Sequence, residues 1–358
     1  MTNNYKGKKI EYHIIQSFPV SCLNRDDVGS PKAAMIGGVP RARVSSQAWK
    51  RQVRMQLHEM GIHIACRTKN IADKIASFCS DGNSEKAKEA ASKIAGILAT
   101  DTLYFFSDSE AKALADFIIE NNYLEEIKDK ELKEKAFATK VFNAQKTGSQ
   151  KGFKDLDGLD IALFGRMVAN SASVSIEAAA SFAHAISTHK ASSEIDFFTA
   201  LDDIPSEEND DARSAHLGSN EFNSATYYRY VSLDLGQLVE TLGGDENLET
   251  AVDAFTKALF IALPYARQTT MAGDTPWDFA RIYVRRGQRL QASFDNPVYA
   301  HGEGFSKPSI EALRTGLDTK EKQFGSLFGK VAEFEWGLDE HYSIDNLISD
   351  INNSIHED

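Results

Sequence analysis

The sequence predicts an α+β protein in which a strand-bearing frame carries a large helical insertion. Residues 9–18 alternate and are rich in β-branched and aromatic side chains, which is typical of a strand. Alanine-rich segments with a helical period fill much of residues 68–190. Strand-like runs then resume at 227–231 and 281–286, so the frame is built from both ends of the sequence.

The composition is that of a folded globular protein. Of 358 residues, 42% are hydrophobic and 26% are charged. This length predicts about two domains, or one domain with a large insertion. The net charge of −12 argues against nucleic-acid binding by the chain as a whole, because a basic balance is the usual mark of that class.

Cysteine usage and the absence of long apolar runs bear on the compartment. Cys22, Cys66 and Cys79 include no C-x-x-C pair, so neither a disulfide framework nor a zinc site is expected. The N-terminal residues are polar, and the apolar stretch 258–264 is too short to span a bilayer. We therefore expect a soluble cytoplasmic protein without a cofactor.

The first elements after the N-terminal strand are a loop and a helix. Glycine and proline residues in the stretch 28–41 predict the loop. A helix is expected to begin at Ser45, because a serine oxygen can accept hydrogen bonds from the free N–H groups of a first turn. Trp49, Val53 and Leu57 recur at four-residue spacing and would bury one stripe of that helix.

The insertion and the stretch after it differ in character. Four segments of the insertion have a helical period, namely 84–99, 109–121, 131–144 and 174–189. The stretch 191–220 carries eight acidic residues and few regularly spaced apolar ones. We therefore predict a long irregular excursion there, a type of segment that is usually functional or disordered.

A basic element stands out against the acidic whole. Residues 20–60 contain seven basic and three acidic residues, a local charge of +4. Lys50 and Arg54 are four apart on the predicted helix and would project together, and the first turn of that helix attracts phosphate through its free N–H groups. The candidate phosphate-binding residues are Arg25, Lys32, Arg41, Arg43, Ser45, Ser46, Gln47, Lys50, Arg51 and Arg54. A solvated basic helix face is the alternative interpretation.

A series of short motifs makes the sequence recognisable. They read SCLNRDD at 21–27, RARVSSQ at 41–47, DIALFGRM at 160–167, AHAISTH at 183–189, DFFTA at 196–200 and AHLG at 215–218. In this order they closely resemble the CasC-like backbone subunits of type I-E CRISPR Cascade complexes. The resemblance covers roughly residues 10–240, whereas little is recognisable after residue 264.

The resemblance implies a hand-like architecture. An RRM-like (ferredoxin-like) palm would comprise residues 1–58 and 226–358, with helical fingers at 59–190 and a thumb loop or hairpin at 191–225. About six copies would polymerise along one guide RNA (crRNA). They would present it in kinked segments to a target DNA strand, together with a repeat-processing endonuclease, a 5′-handle-binding subunit, and large and small subunits. The family's backbone subunits of this type do not cut nucleic acid, so no enzymatic activity is expected.

The resemblance also assigns roles by position. Arg25, Lys32, Ser45, Gln47, Lys50 and Arg54 would hold the guide backbone. The implied RNA-binding residues outside the basic element are Arg166, Met167, Phe197, Phe198, Thr199 and Leu217. Met167 and Leu217 would wedge into the base stack beside each kink, and the thumb residues would cover the displaced nucleotide. Phe197 departs from the family pattern, which has tryptophan there.

Other candidate sites have competing interpretations. His184 and His189 are five apart, which favours helix packing or a buried hydrogen bond over metal binding. Asp202 and Asp203 could serve a metal-dependent ribonuclease, since backbone subunits of type III complexes cut RNA with a thumb aspartate. A general single-strand RNA-binding protein is a third possibility. A second basic strip could contact RNA or form intersubunit ion pairs, and it consists of Arg281, Arg285, Arg286 and Arg289.

Overall fold

A computed structural model describes residues 3–79, 84–98, 103–125, 132, 157–168, 174–201, 214–300, 302 and 304–357. The strands in chain order are β1 (Lys8–Ser21), β2 (Ala33–Ile36), β3 (Val39–Val44), β4 (Cys66–Thr68), β5 (Tyr104–Phe106), β6 (Ala180–Phe182), β7 (Ala185–Ser187), β8 (Glu194–Leu201), β9 (Ser214–Asp234), β10 (Phe279–Arg286) and β11 (Lys330–Trp336). The helices are α1 (Ser46–Glu59), α2 (Ile71–Ala76), α3 (Glu85–Leu98), α4 (Asp108–Glu120), α5 (Leu159–Phe164), α6 (Leu235–Leu242), α7 (Leu248–Ile261), α8 (Gln268–Met271), α9 (Ser306–Phe324) and α10 (Ile344–Ser354). In this described part, no helix is both long and apolar enough to cross a membrane.

A mixed α/β fold is organised around a nine-stranded antiparallel sheet. Its main path runs β11-β10-β1-β9-β7-β3-β2, while β6 and β8 also pair with β9. The central strand β1 pairs on both sides, so that Ile10 faces Leu233 of β9 and Val284 of β10. An RRM has a four-stranded sheet, so the RRM-like palm stays a prediction for the inner part of this larger sheet.

The two faces of the sheet carry different side chains because successive residues of a strand point to opposite sides. Ile10, Tyr12 and Ile14 of β1 enter the larger core, which α1, α5, α6, α7 and α10 cover. The opposite face carries Glu11 and His13, both fully buried, beside a second core that α9 covers. Polar side chains can lie there because they bond to one another rather than to water.

The helical insertion has a core of its own. Helices α2, α3 and α4 pack their buried stripes together through residues such as Ile75, Ile94 and Leu114. Ser107 caps α4 in a capping box, in which the Ser107 hydroxyl accepts from Glu110 N and the Glu110 carboxylate accepts from Ser107 N. Helices α3 and α4 confirm two of the four predicted helical segments. The segment 131–144 lies, apart from residue 132, outside the described residues.

The predicted helix at 174–189 is wrong. Strands β6 and β7 lie there instead, with Phe182 opposite Val231 and Ile186 opposite Tyr228 of β9. Alanine is the best helix former, but helix propensity is a weak preference, and pairing with a buried strand outweighs it here. The frame therefore resumes by residue 180, before the expected end of the fingers at 190, and α5 already belongs to the larger core.

The excursion predicted at 191–220 is not irregular in its described parts. Strands β8 and β9 form an antiparallel hairpin, in which Phe197 lies opposite Ser219 and Thr199 opposite Leu217. Strand β9 is 21 residues long and continues from this thumb hairpin into the middle of the sheet. The predicted thumb boundary at residue 225 thus falls inside one continuous strand. The hairpin form agrees with the loop or hairpin that the resemblance implied.

A buried carboxylate links three strands and a loop. Glu11 of β1 accepts hydrogen bonds from Arg285 Nη1 at 2.6 Å, from the Tyr230 hydroxyl at 2.5 Å and from the Leu290 backbone N–H at 2.9 Å. The side chains of Glu11 and Arg285 are 1% and 0% exposed. A buried charge pair of this kind is costly to break because the remaining charge stays away from water.

We expect Glu11→Gln to lower the free energy of unfolding by about 3–5 kcal/mol, because the amide can still accept hydrogen bonds but leaves the Arg285 charge uncompensated. Urea unfolding of the purified chain, followed by circular dichroism, measures the change. The double variant Glu11→Gln/Arg285→Met is the control, since it removes both charges. A double variant as unstable as the sum of its two single variants would contradict a charge-pair origin.

Candidate nucleic-acid interface

Helix α1 begins where the sequence predicted. Ser45 is its N-cap, and the Ser45 hydroxyl oxygen accepts a hydrogen bond from Ala48 N at 3.3 Å. Trp49, Val53 and Leu57 form its buried stripe. Ser45 is 8% exposed, so its oxygen serves the helix. Of the other first-turn candidates, Ser46 is half-buried and Gln47 is exposed.

Five cations of the basic element remain accessible. Two are exposed and three are half-buried, and in the described part of the chain none of the five forms an ion pair with a carboxylate; they are Arg25, Arg51, Lys32, Arg43 and Lys50. Arg51 lines a separate groove of about 700 Å³ between α1 and the segment 261–274. The other four accessible cations do not line this groove.

Arg41 does not fit the predicted phosphate contact. Its side chain is fully buried, and its guanidinium donates to Ser187 O at 2.7 Å and to Phe294 O at 2.9 Å. It shares a face of β3 with Arg43, but the loop around Asp295 covers it there. The same loop packs on Gly37, whose φ is +60°, so that an added Cβ would collide with Asp295 O. The backbone at Asp295 therefore approaches Gly37 closely.

Arg54 also serves the fold. Its Nε is 2.6 Å from Asp160 Oδ2, and its Nη2 donates to Ala65 O at 2.6 Å. Lys50 and Arg54 therefore do not act together, although they are four residues apart on α1. Burial raises the pKa of the Asp160 carboxyl above its ordinary value, while the charge of Arg54 counteracts that rise. Asp160, the first residue of the DIALFGRM motif, therefore links α5 to α1 through Arg54.

Arg166 is the third predicted RNA contact whose side chain is instead bonded within the protein. It is 4% exposed, and its Nη1 lies 2.8 Å from Glu110 Oε2 of α4. It also donates to Phe105 O at 2.9 Å and to Val174 O at 3.1 Å. These bonds join the fingers to the segment after α5, and they leave the guanidinium no access to RNA.

The neighbouring Met167 is displayed to solvent. Its side chain is 90% exposed, whereas Arg166 before it is buried and pairs with Ile176 through a backbone bridge. Gly165 has a φ of +76°, and an added Cβ there would lie 2.9 Å from Ile176 O, so only glycine fits this turn. Met167, the residue predicted to insert between bases, is thus carried by a turn with a fixed backbone.

The thumb hairpin displays aromatic side chains. Phe197 is 70% exposed and Phe198 41%, and they lie on opposite faces of β8 because side chains alternate along a strand. Phe198 lies over Gly218, where any side chain would collide with the ring. Thr199 is exposed on the same face as Phe197. Leu217 pairs with Thr199 through the backbone, and its side chain lies outside the described part.

Cations of the basic element lie beside the β6–β7 segment. Arg43 Nη1 lies 3.1 Å from His184 Nδ1, and burial together with the charges of Arg43 and Lys32 lowers the pKa of His184. Lys50 Nζ lies 5.8 Å from the centre of the Phe182 ring. We call these five residues the basic strip. Phe182 is not among the predicted site residues, because the pattern of its segment predicts a helix.

His184 and His189 have separate roles. His189 is buried, with Nδ1 2.8 Å from Lys190 O and Nε2 accepting from Thr226 N at 3.1 Å. Burial lowers the pKa of His189, which favours the neutral ring that can accept this bond. The expected buried hydrogen bond of an imidazole is confirmed for His189, although this residue lies in a bend after β7 and not on a helix.

The four arginines at 281–289, predicted as a second basic strip, do not form one surface. Arg281 is buried and pairs with Asp318 at 2.5 Å, and Arg285 is buried against Glu11. Arg286 donates to backbone oxygens near the N-terminus. Arg289 is exposed and donates to the Ser181 hydroxyl. Of these four arginines, only Arg289 is exposed. The thumb acids Asp202 and Asp203 lie outside the described residues.

Solved structures resemble this chain over nearly its whole length. One is a chain of a CRISPR RNA-guided surveillance complex, pre-nicking, with 26% sequence identity, a TM-score of 0.77, and coverage of 97% of this chain and 100% of that one. Another is a chain of a CRISPR RNA-guided surveillance complex, with 24% identity, a TM-score of 0.62, and coverage of 96% and 98% respectively. At 24% identity, the likeness to this second chain shows a shared fold and nothing more.

Sequence comparison gives the family directly. A search of curated proteins found no match. The model of the CT1975-like protein family, in contrast, matches residues 10–346. This match spans far more than half of the 358 residues, and the chain therefore belongs to the CT1975-like protein family.

Proposed function

We propose that this chain is a non-catalytic, crRNA-binding backbone subunit of a type I-E CRISPR Cascade complex. Several copies would polymerise along one guide RNA in the cytoplasm. The observation that carries the proposal is the basic strip, in which Lys32 and Arg43 lie by His184 and Lys50 lies by Phe182. None of these three cations pairs with a carboxylate among the described residues. The likeness to chains of RNA-guided surveillance complexes and the ordered motifs support the same reading.

The strip suits the sugar-phosphate backbone of RNA rather than its bases. Lysine and arginine bind phosphate oxygens through charge, and such contacts fix position without reading sequence. A backbone subunit that must accept any guide needs this property. The net charge of −12 is compatible with it, because a local groove can be positive while the remaining surface is acidic.

Met167 and the thumb would shape the strand that the strip holds. An apolar side chain that inserts between bases opens a step of the stack, and phosphate contacts offset the cost. Met167 is 90% exposed on a fixed turn, as such a wedge requires. Phe197, Phe198 and Thr199 would cover the displaced nucleotide, since bases stack well on aromatic side chains.

The remaining parts of the proposal concern partners. Guide segments between kinks would pair with the target DNA strand, so that base pairing and not the protein reads the sequence. An endonuclease that processes the repeat, a subunit that binds the 5′ handle, and large and small subunits would complete the assembly. A palm of RRM-like type would correspond to the inner strands of the sheet.

Lys50→Ala should weaken RNA binding equally for unrelated spacer sequences. Removing one phosphate contact should also reduce the slope of log affinity against log salt by about 0.7. Filter binding of two unrelated single-stranded RNAs across a salt series measures both effects. Lys322→Ala, which removes an exposed lysine of α9, is the charge-matched control. An unchanged slope in Lys50→Ala would mean that this lysine does not contact phosphate.

Met167→Ala should leave assembly on the guide intact but abolish the kinks. Chemical probing of base accessibility in the assembled complex should show evenly spaced reactive nucleotides with the wild-type chain and a flattened pattern with the variant. Met167→Leu retains an apolar wedge and should restore the spacing. Since the side chain is 90% exposed, neither change should alter the melting temperature. A periodic pattern that survives in Met167→Ala would exclude the wedge role.

The purified chain should not cleave labelled RNA in Mg²⁺ or Mn²⁺. Gel analysis over several hours measures this, with a known ribonuclease as the positive control. Cleavage that disappears in Asp202→Ala would instead establish the ribonuclease reading. Cleavage that persists in that variant and separates from the chain on further purification would identify a contaminant.

A further inference from the structure

The thumb hairpin is bonded to other parts of the chain at its base. On the thumb side of Asn223, β9 continues without β1 beside it, because their pairing ends at Ser21. Two segments contact this stretch of β9 through side chains instead. They are the loop 22–32 after β1 and the segment that leads from α7 into α8. These contacts fix the direction in which the hairpin leaves the sheet.

The loop 22–32 makes the first contact. The Ser30 hydroxyl donates a hydrogen bond to Glu221 Oε1 at 2.8 Å. The loop is closed on itself, since Asp26 N donates to Ser30 O and Ser30 N donates to Asp26 Oδ1, both at 2.9 Å. A hydroxyl on a closed turn has little conformational freedom to lose, so this bond holds Glu221 in a defined place.

The same loop is bonded to the segments that carry the cations of the basic strip. Asn24 Oδ1 accepts a hydrogen bond from Ser45 N at 2.9 Å, and Ser45 is the N-cap of the helix that carries Lys50. The backbone oxygen of Asn24 accepts another from Lys32 N at 2.8 Å. The loop therefore connects the base of the thumb to the surface predicted to hold the guide.

Arg267, which precedes α8, makes the second contact. Its Nη1 donates to the side-chain oxygen of Asn220. Its Nε is buried and has no hydrogen-bond partner among the described residues. Its φ of +53° is a left-handed conformation that is unfavourable for residues other than glycine. The buried Nε and the backbone strain both lower the stability of the fold, so they point to a role other than stability.

The two bonds hold opposite faces of the hairpin. Asn220 and Glu221 are neighbours in β9, so their side chains point to opposite sides of the strand. In the register of β8 and β9, Glu221 lies on the face of Phe197, whereas Asn220 lies on the face of Phe198. A rotation of the hairpin about its long axis would therefore stretch one bond or the other.

We propose that Ser30 and Arg267 are positioning residues, which set the angle of the thumb over the guide RNA without contacting the RNA. Ser30 acts through Glu221, and Arg267 acts through Asn220. The inference rests on the proposed function, because the thumb can cover a displaced nucleotide only at a fixed angle to the basic strip. It gives the loop 22–32 a role besides the phosphate contact predicted for Arg25.

Chemical probing of the guide in the assembled complex tests the contact of Arg267. Arg267→Met and Asn220→Ala remove the same bond. Each should lower the contrast between reactive and protected nucleotides about fivefold, the factor that corresponds to one hydrogen bond of ordinary net strength. The double variant should lose no more than either single variant. A loss equal to the product of the two single losses would show that the side chains act separately, and would overturn the proposal.

The contact of Ser30 has its own pair of variants. Ser30→Ala removes the donor to Glu221 and should lower the same contrast about fivefold. Ser30→Thr retains the hydroxyl and should retain the contrast of the wild type. Melting temperatures verify that both variants fold. A loss in Ser30→Thr as large as that in Ser30→Ala would assign the effect to packing in the loop and overturn the proposal.

The salt dependence of RNA binding separates positioning from direct contact. Arg267→Met should leave the slope of log affinity against log salt unchanged, whereas Lys50→Ala should reduce it by about 0.7. Arg67→Met, which removes an exposed arginine of β4, is the charge-matched control. A slope reduced by about 0.7 in Arg267→Met, and unchanged in this control, would mean that Arg267 itself contacts phosphate and would overturn the proposal.

The outcomes distinguish this inference from the proposed function. If the wild-type chain fails to bind RNA or shows no spaced reactive nucleotides, the proposed function fails and the positioning role with it. If Met167→Ala flattens the pattern while Arg267→Met, Asn220→Ala and Ser30→Ala leave it unchanged, the positioning role alone is overturned.

Discussion

The buried carboxylate of Glu11 is the interaction on which the arrangement of the surface depends. It joins Arg285 of β10, Tyr230 of β9 and the backbone of Leu290 to the central strand. A carboxylate in this position must have its hydrogen bonds filled, because an unpaired buried charge costs far more than a solvated one. The three partners are therefore fixed relative to one another. The segment that carries Arg289 and Gln291 is thus held in place by its bond to Glu11 inside the sheet.

Arginines elsewhere act as internal braces in the same way. Arg41 binds backbone oxygens, Arg54 binds Asp160, and Arg166 binds Glu110. A guanidinium offers five donors in a fixed plane, so it can bond several oxygens at once where chain segments meet. The cations of the basic element that remain accessible are Arg25, Lys32, Arg43, Lys50 and Arg51. A count of basic residues therefore overstates the binding surface, and burial decides which charges are available.

The sequence predicts those elements whose signals are local. The cap at Ser45, the stripe of Trp49, Val53 and Leu57, and the helices α3 and α4 depend on neighbours a few residues away, and all are present. Strands β6 and β7 could not be predicted from an alanine-rich segment, because their form is imposed by pairing with a strand about 45 residues later. The burial of Arg41 depends on a loop more than 250 residues away. Phe182 was missed because it lies in β6.

The rigidity of the turn that carries Met167 has a functional consequence. A side chain that must open a base stack loses conformational freedom on binding, and a loop that is mobile beforehand loses more. Under the proposed wedge role, Arg166 would remove much of that loss in advance, since its bonds to Glu110, Phe105 and Val174 fix the backbone of the turn. An arginine that never contacts the ligand can thus strengthen its binding. Arg166 would then matter to RNA binding through the position of Met167, and not through the phosphate contact that its charge suggests.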